Sequence, residues 1–591
     1  MPRRLHLVRG FVLLVWGLLA IACGPPDSAQ LFEGPFNVVP PAPPELYGAF
    51  RYDLQAYADY DSMSFFSTPD PVSQGASRTD PDWVEGAASG ILEAALRETH
   101  GRTEGDYPSA ALYLLSPTTF RERLPSRALQ VTYPPDGAAF PPDFCEIRVD
   151  WEDEVNDLWQ VNIGVGDGEA LWTAVTDERQ WWFPPEVWRE ACERAAEGAW
   201  IQVKGTRQPA DDGSRAAVQA SPRIHFRVSR WRADDIIVYR LVVPPFNRRK
   251  TPHMYYRDIR SQEEQPFLLS RDNYCFNCHT FTGKSGTSGK LSIQARYMLP
   301  GAELPVYLGI YDLDEGRGWR AQLPFEVQMT TFMAWSPDGR YLAFSANQQI
   351  VVFAPITYES QFAGEPTSDL AIYDTRENTS YLLPGADHDQ RLEILPRWSL
   401  DGQRLVYCVA DPGRHPAQTR YDLREIPFGD GDGGTSRPVP GASANGRSNY
   451  YPRFSPDGRW LSFTQSDGGT LIKPSSDIYL MPADFSAAPR RLESNVDLAA
   501  DSWHSWSSGG HWLVFASKRD DGIYARLYLT EIDEEGRASP AVRLPLREEP
   551  LASYNIPEFV TEPPGVGEEE LFEAVRIEGE PRLVDEIVRG G

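Results

Sequence analysis

"AWSPDGRYLAFSA" occupies residues 334–346 and returns three times further along the chain. The other copies are "RWSLDGQRLVYCVA" from Arg397, "RFSPDGRWLSFTQS" from Arg453 and a worn "SWSSGGHWLVFAS" from Ser505. Each reads as a β-rich run, a tight turn and a second β-rich run. The Asp-Gly pair supplies the positive φ that a hairpin needs. The turn glycines Gly339, Gly402, Gly458 and Gly510 lie 52 to 63 residues apart. A further strand-like run follows every copy: "SDLAIYD" (368–374), "RYDLREIP" (420–427), "SDIYLMP" (476–482) and "ARLYLTE" (525–531). About four strands per repeat makes a propeller blade.

Working outward, "VYLGIYDLDEG" (306–316) is a candidate degenerate blade. "SYNIPEF" (553–559) is a candidate start of a blade completed by strands near 290–300. Five or six blades are expected. Asp338, Asp401 and Asp457 are read as turn formers without chemistry.

The motif resembles the repeat of TolB-like β-propellers, over roughly residues 300–560. The resemblance implies a function carried by the central channel or the loop faces.

The rest of the chain agrees with a β-rich protein. It has 51 prolines and 47 glycines, which suit many short strands and turns. Its formal charge is −27, from 57 basic and 84 acidic residues. That argues against nucleic acid and anionic lipid surfaces as main partners.

The N-terminus reads as an export signal. Arg3, Arg4 and Arg9 precede the apolar run Phe11 to Ala22, which is short for a membrane span. "LLAIAC" resembles a bacterial lipobox with Cys23 as the lipidated residue, although "AIA" also fits ordinary cleavage after Ala22. The expectation is a lipoprotein of the cell envelope, periplasmic or outer-membrane facing, held to the membrane only by its lipid.

"WVEGAASGILEAALRETH" (83–100) has helical spacing. Between residues 126 and 246, short runs such as "CEIRVDWE", "LWQVNIGV", "WIQVKGTR" and "DIIVYRLVV" alternate with turns, and "PPEVWREACERAAEG" (184–198) reads as a helix. This pattern resembles an immunoglobulin or fibronectin-like β-sandwich. Its tryptophans (151, 159, 172, 181, 182, 188 and 200) are read as packing in preference to a sugar platform.

"RDNYCFNCHT" (271–280) carries the one chemical motif. A thioredoxin-type C-x-x-C needs a βαβ setting that is not visible. A structural zinc needs four ligands, and no second cysteine pair exists. A Cys275–Cys278 disulfide would close a small, strained loop. C-x-x-C-H is also the attachment motif of a c-type haem. In that reading Cys275 and Cys278 bind the haem covalently and His279 is the proximal iron ligand. Met298 is the candidate distal ligand, with His253, Met254, Met329 and Met333 as others. Arg248, Arg249 and Lys250 are candidate propionate partners. Cys145 and Cys192 are a possible disulfide, and Cys408 reads as a buried strand residue.

"GKSGTSGKLS" (283–292) misses the P-loop spacing, and neither a G-x-S-x-G elbow nor an H-E-x-x-H motif occurs. His504 and His511 read as structural.

The stretch "VYRLVVPPF", "SQEEQPFLLSRDNYCFNCHTF" and "GKLSIQAR", followed by the repeats, resembles large exported bacterial proteins that join an immunoglobulin-like module, one C-x-x-C-H segment and a propeller. That likeness covers roughly residues 130–560 and implies one covalent haem c. The expected fold is mainly β, with this organisation: 1–22 signal peptide, 23–125 undefined, 126–246 sandwich, 247–300 haem-c segment, 301–565 propeller and 566–591 acidic tail. The expected function is an envelope-anchored c-type cytochrome carrying electrons to a redox partner protein docked on the propeller. The alternatives are a propeller scaffold that binds an envelope protein or glycan, and a haem enzyme of peroxidase or oxidase type.

Overall fold

A computed structural model describes residues 129–576, apart from 196–197, 208–216, 243–251, 273, 298–305, 322, 324–329, 348–349, 354–359, 365–367, 413–417 and 548–549. The signal peptide, Cys23 and the expected helix at 83–100 lie outside the described residues. So do Arg248, Arg249, Lys250, Met298 and Met329.

The four repeats each form an antiparallel blade, the third and fourth touching through one parallel pair, Ser368↔Leu392, and two further sheets complete a ring of six blades. Blade three runs Thr330–Trp335, Tyr341–Asn347, Ser368–Asp374 and Thr379–Leu382 from the centre outward. Blades four, five and six begin with Leu392–Trp398, Ser448–Phe454 and Ser502–Trp506. Blade two is Tyr274–Phe281, Lys290–Tyr297, Val306–Asp312 and Arg317–Arg320. Blade one takes its innermost strand, Ser553–Val560, from the end of the chain. Its outer strands are Ile236–Val242, Pro252–Asp258 and Glu264–Leu269. The closing pairing runs from Ile236↔Val560 to Val242↔Ser553 and locks the ring. Blades stack face to face, so their strands bury both faces. Trp512–Ser517 and Arg526–Glu531 are buried throughout, and the apolar run replaces the alternation of a half-exposed strand.

The repeat motif builds its turn from its own side chains. In blade three Gly339 donates its N–H to the Ser336 carbonyl at 2.9 Å, with Gly339 at φ +67°. Ser336 Oγ donates to Asp338 at 2.5 Å, and the same carboxylate accepts the Arg340 N–H at 3.1 Å. Ser399–Asp401–Gln403 and Ser455–Asp457–Arg459 repeat this. The worn copy has Gly509 where the others have Asp. There Asp234, from the segment before blade one, accepts the Ser508 N–H at 2.7 Å and the Ser508 hydroxyl. A carboxylate from elsewhere in the chain thus braces the worn turn at its second serine, while the Ser507 hydroxyl, which the motif Asp would accept from, has no hydrogen-bond partner among the described residues.

The organisation differs from the sequence reading in three places. Residues 247–300 were expected to be a loop-like haem segment, but they form strands of blades one and two. Ile236–Val242, placed with the sandwich, belongs to blade one. "VYLGIYDLDEG", expected as a degenerate blade of its own, supplies the third strand of blade two, and "SYNIPEF" pairs with Ile236–Val242 and not with strands near 290–300. Of the acidic tail, helix α2 (Glu568–Val575) lays Leu571, Phe572 and Val575 into the apolar cluster of blades one and two.

The sandwich has one sheet of Gln130–Tyr133, Arg148–Glu152 and Gln180–Trp182. The other runs in the order Ala138–Phe140, Ile224–Val228, Ala199–Thr206, Leu158–Val165 and Ala170–Thr176, with its first pair parallel. Helix α1 (Pro185–Arg194) drops Trp188 into the core, where its Nε1 donates to the Phe144 carbonyl at 2.9 Å. Trp151, Trp159, Trp188 and Trp200 are buried, as packing requires. The core continues into blades one and six through Tyr255, Trp512 and Val542. Arg227 makes a two-pronged ion pair with Glu531 at 2.8 and 2.9 Å, and Trp231 stacks on His511 at 4.0 Å.

Candidate functional site

The innermost strands bring one position of every repeat to the central channel. It lies two residues before the turn serine and holds Ala334, Arg397, Arg453 and Ser505 in blades three to six. The matching residues of blades one and two are Glu558 and Thr280. These side chains meet. Thr280 Oγ1 donates to Glu558 at 3.3 Å. Lys284, from the loop after the first strand of blade two, reaches Glu558 at 3.2 Å and Ser505 Oγ at 3.0 Å.

Two residues further back, each innermost strand carries a bulge. Phe332, Leu395, Tyr451, Trp503 and Ile556 sit there with φ between +49° and +57°, rare for bulky residues and sustained by the flanking ladder. All five join one apolar cluster. The channel therefore has a polar ring beside an apolar layer. In blade two Cys278 occupies the bulge position.

The ring is electrostatically lopsided. Burial opposes ionisation of Glu558, but Lys284, His279 and Arg397 outweigh it and hold its carboxyl below the usual range. Burial lowers the Lys284 amine, aided by Arg397 and Arg453 and opposed by Glu558. Burial and the neighbouring Arg453 pull Arg397 down to about 10, so it remains a cation at neutral pH. No carboxylate among the described residues pairs with Arg397 or Arg453. Arg453 lies over the Tyr451 ring at 3.9 Å and donates to the Pro452 carbonyl at 3.1 Å. Both arginines keep accessible surface despite their depth, as groups lining a channel do.

The C-x-x-C-H residues lie on the innermost strand of blade two. Cys275 pairs with Arg296 and His279 with Ile293 across the ladder. Cys275 is buried, its sulfur 3.5 Å from Asn277 Nδ2, and Asn277 accepts from Arg240 at 2.9 Å. Cys278 packs toward blade three, against the cluster of Leu308, Ile310, Met333 and Trp335. His279 points the other way, toward Val238 and Glu558 of blade one, and burial drops its pKa to about 4. A haem held by two thioethers with the histidine beneath needs all three on one side. The paired strand spreads them over opposite faces, so as folded these residues do not fit a covalent haem. The His279 ring has the Val238 carbonyl beside it and the charges of Glu558, Arg240 and Lys284 around it, but its nitrogens make no hydrogen bond of normal geometry. His504, at the same strand position in blade six, is in the same state with the Ser462 carbonyl beside it and no cysteine in its motif. An orphaned imidazole is thus a feature of this propeller position and not a mark of iron ligation.

The other candidates disperse. His253 accepts the Ser270 N–H at 3.2 Å, and Met254 is buried in the cluster of blades one and two. Met333 packs beside Cys278. Cys145 and Cys192 are both free thiols, with Cys145 pushed up by burial to about 12. Cys408 is fully buried in blade four. His504, read as merely structural, borders the channel beside Tyr451, their rings 5.6 Å apart. Arg397 and Arg453 were missed because each stands as the first letter of a repeat. The signal was their position: cations two residues before the turn serine in two consecutive blades.

No family model matches the chain. An uncharacterized protein, Atu1656, of Agrobacterium fabrum (strain C58) is 27% identical over 215 residues, 31% of this chain. The chain spans 64% of that relative's length. Among solved structures, a protein from Agrobacterium tumefaciens assigned as TolB aligns with 18% identity and a TM-score of 0.32, covering 53% of this chain and 88% of the other. An oligogalacturonate lyase in complex with manganese aligns with 15% identity and a TM-score of 0.32, covering 57% and 84%. These are likenesses, and the reading of the site rests on its own residues.

Proposed function

We propose that this chain is a binding protein of the bacterial envelope, anchored through Cys23, whose propeller channel is the ligand site. The sandwich, whose strand order suits an immunoglobulin-like module, serves as a rigid spacer fused to blades one and six. The observation that carries this reading is the pair Arg397 and Arg453, neighbouring cations of the ring that form no ion pair among the described residues, the carboxylate that Arg397 feels, Glu558, being hydrogen-bonded to Lys284. Buried charge without a partner is costly, and a bound group offsets that cost. No catalytic dyad is needed for such a role.

The test is a thermal-shift panel on the full chain, with neutral sugars, amino acids, dipeptides and small acids. A compound that raises the melting temperature of the wild type but not of an Arg397→Gln, Arg453→Gln variant supports the channel. If no compound does so, or if the shifts survive in the variant, the channel reading fails.

The cytochrome reading rests on the motif alone and has its own test. A pyridine haemochrome spectrum on protein matured with the c-haem machinery, beside a Cys275→Ala, Cys278→Ala variant, decides it. A covalent c-type band in the wild type only would overturn the binding account of blade two.

A further inference from the structure

We infer that the group bound in the channel is an oxyanion, a carboxylate or phosphoryl of the ligand, held between Arg397 and Arg453 at the level of the polar ring. This rests on the channel reading above and names its ligand class. The ring divides into two halves. On the side of blades six, one and two, Ser505, Glu558, Thr280 and Lys284 satisfy one another, with contacts of 3.0 to 3.3 Å. On the side of blades four and five the two guanidinium groups form no ion pair among the described residues; Arg397 feels the charge of Glu558 across the ring, but that carboxylate is hydrogen-bonded to Lys284 and Thr280. Between the halves stands Ala334, the smallest residue of the ring, which brings no charge or hydrogen-bonding side chain to it.

Charge argues in the same direction. Counted over the ring, Lys284, Arg397 and Arg453 against Glu558 leave a net of two positive charges in a protein whose formal charge is −27. His279 and His504 add none, since burial holds their pKa values near 4 and 3. Guanidinium forks match the two oxygens of a carboxylate or phosphoryl group, and such charge-assisted bonds strengthen away from bulk water. Glu558 is kept from filling this role by its hydrogen bonds to Lys284 and Thr280. Leu395, Tyr451 and Trp503 are buried in one apolar cluster next to the ring, a low-dielectric wall that strengthens a contact between guanidinium and oxyanion.

The experiment is isothermal titration calorimetry of the full chain with succinate and with inorganic phosphate, at constant ionic strength set by chloride. Saturable binding of either is expected. Affinity should fall roughly tenfold to a hundredfold in Arg397→Gln and in Arg453→Gln. It should be unchanged in Arg537→Gln, whose side chain is two-thirds exposed on another face. The better binder of the two tells carboxylate from phosphoryl. Binding of neither anion, or equal binding in the Arg397→Gln variant, overturns the oxyanion assignment. If a neutral compound then binds in a way that needs the two arginines, the channel reading survives and the ligand class falls. If nothing binds, both fall.

Discussion

Glu393 lies on the strand that carries Arg397, and its side chain is fully buried. One carboxyl oxygen accepts the His388 N–H at 3.0 Å, while the other has no hydrogen-bond partner. Burial, with Asp369 and Asp387 adding to it, lifts its pKa from 4.5 to about 7 against the opposing His388 bond and Arg391. A raised folded-state pKa means that the folded protein holds this proton more tightly than the unfolded chain does. The resulting stability is complete below about pH 4.5 and is lost as pH rises through about 7. At 1.36 kcal/mol per unit, the loss across that window is about 3 kcal/mol, an order of magnitude for a group this deep. Glu393→Gln keeps an acceptor for His388 and cannot ionise. Melting temperatures of wild type and variant, followed by scanning fluorimetry from pH 4 to 8.5, should therefore diverge in the variant's favour above pH 5 and level off above pH 7.5. Asp369, itself raised to about 6 by burial, titrates in both proteins and largely cancels in the difference. A difference that does not change with pH would refute the reasoning, because it would mean that Glu393 titrates in the fold as it does in water.

Other perturbations test the scaffold. Asp234→Ala removes the carboxylate that holds the N–H and hydroxyl of Ser508, an exposed residue whose N–H can turn to water. A loss of about 0.5–1.5 kcal/mol is expected in denaturant melts, while Asp234→Asn should recover part of it. Arg227→Ala leaves Glu531, almost wholly buried, without its ion-pair partner. Protease cleavage between sandwich and propeller should speed up, and Glu531→Gln in the same chain should reverse the effect. Trp188→Ala opens a cavity in the sandwich core and breaks the bond to Phe144, at about 3–5 kcal/mol by the same melts. Cys278→Val should change the melting temperature little, because the other bulge positions carry apolar side chains.

The legible part of the fold was local. Where Ser, Asp and Gly build a turn from adjacent residues, as at 336–339, the motif shows both the hairpin and the blade. Blades one and two escaped because nothing local marks them. Blade two replaces the four-residue turn by the longer loop 283–289, and blade one borrows its central strand from the far end of the chain. The register Ile236↔Val560 joins residues more than 300 positions apart, and no period in the sequence records it. The site was hidden for a related reason. Ring positions are consecutive in space but arrive one per blade, so Thr280, Arg397, Arg453 and Glu558 share no sequence window.

The C-x-x-C-H stretch shows how the same residues answer to two sets of constraints. As a peptide it offers two thiols and an imidazole at the haem spacing. As the innermost strand of blade two it must alternate faces, pair with Lys290–Tyr297 and carry the inter-blade contacts. The Thr280 carbonyl accepts the Trp335 indole N–H at 3.2 Å. In the next blade Trp398 makes the same bond to the Ala334 carbonyl at 3.0 Å, and in blade six Trp506 reaches Ser462 Oγ, which bonds the Arg453 carbonyl. Pulling Cys275, Cys278 and His279 to one side would break this ladder where the ring is closed by its neighbour, blade one. A haem on this motif and an intact six-bladed ring therefore compete for one strand. The propeller's repeated contacts favour the ring, and it is the ring that places Arg397 and Arg453 together.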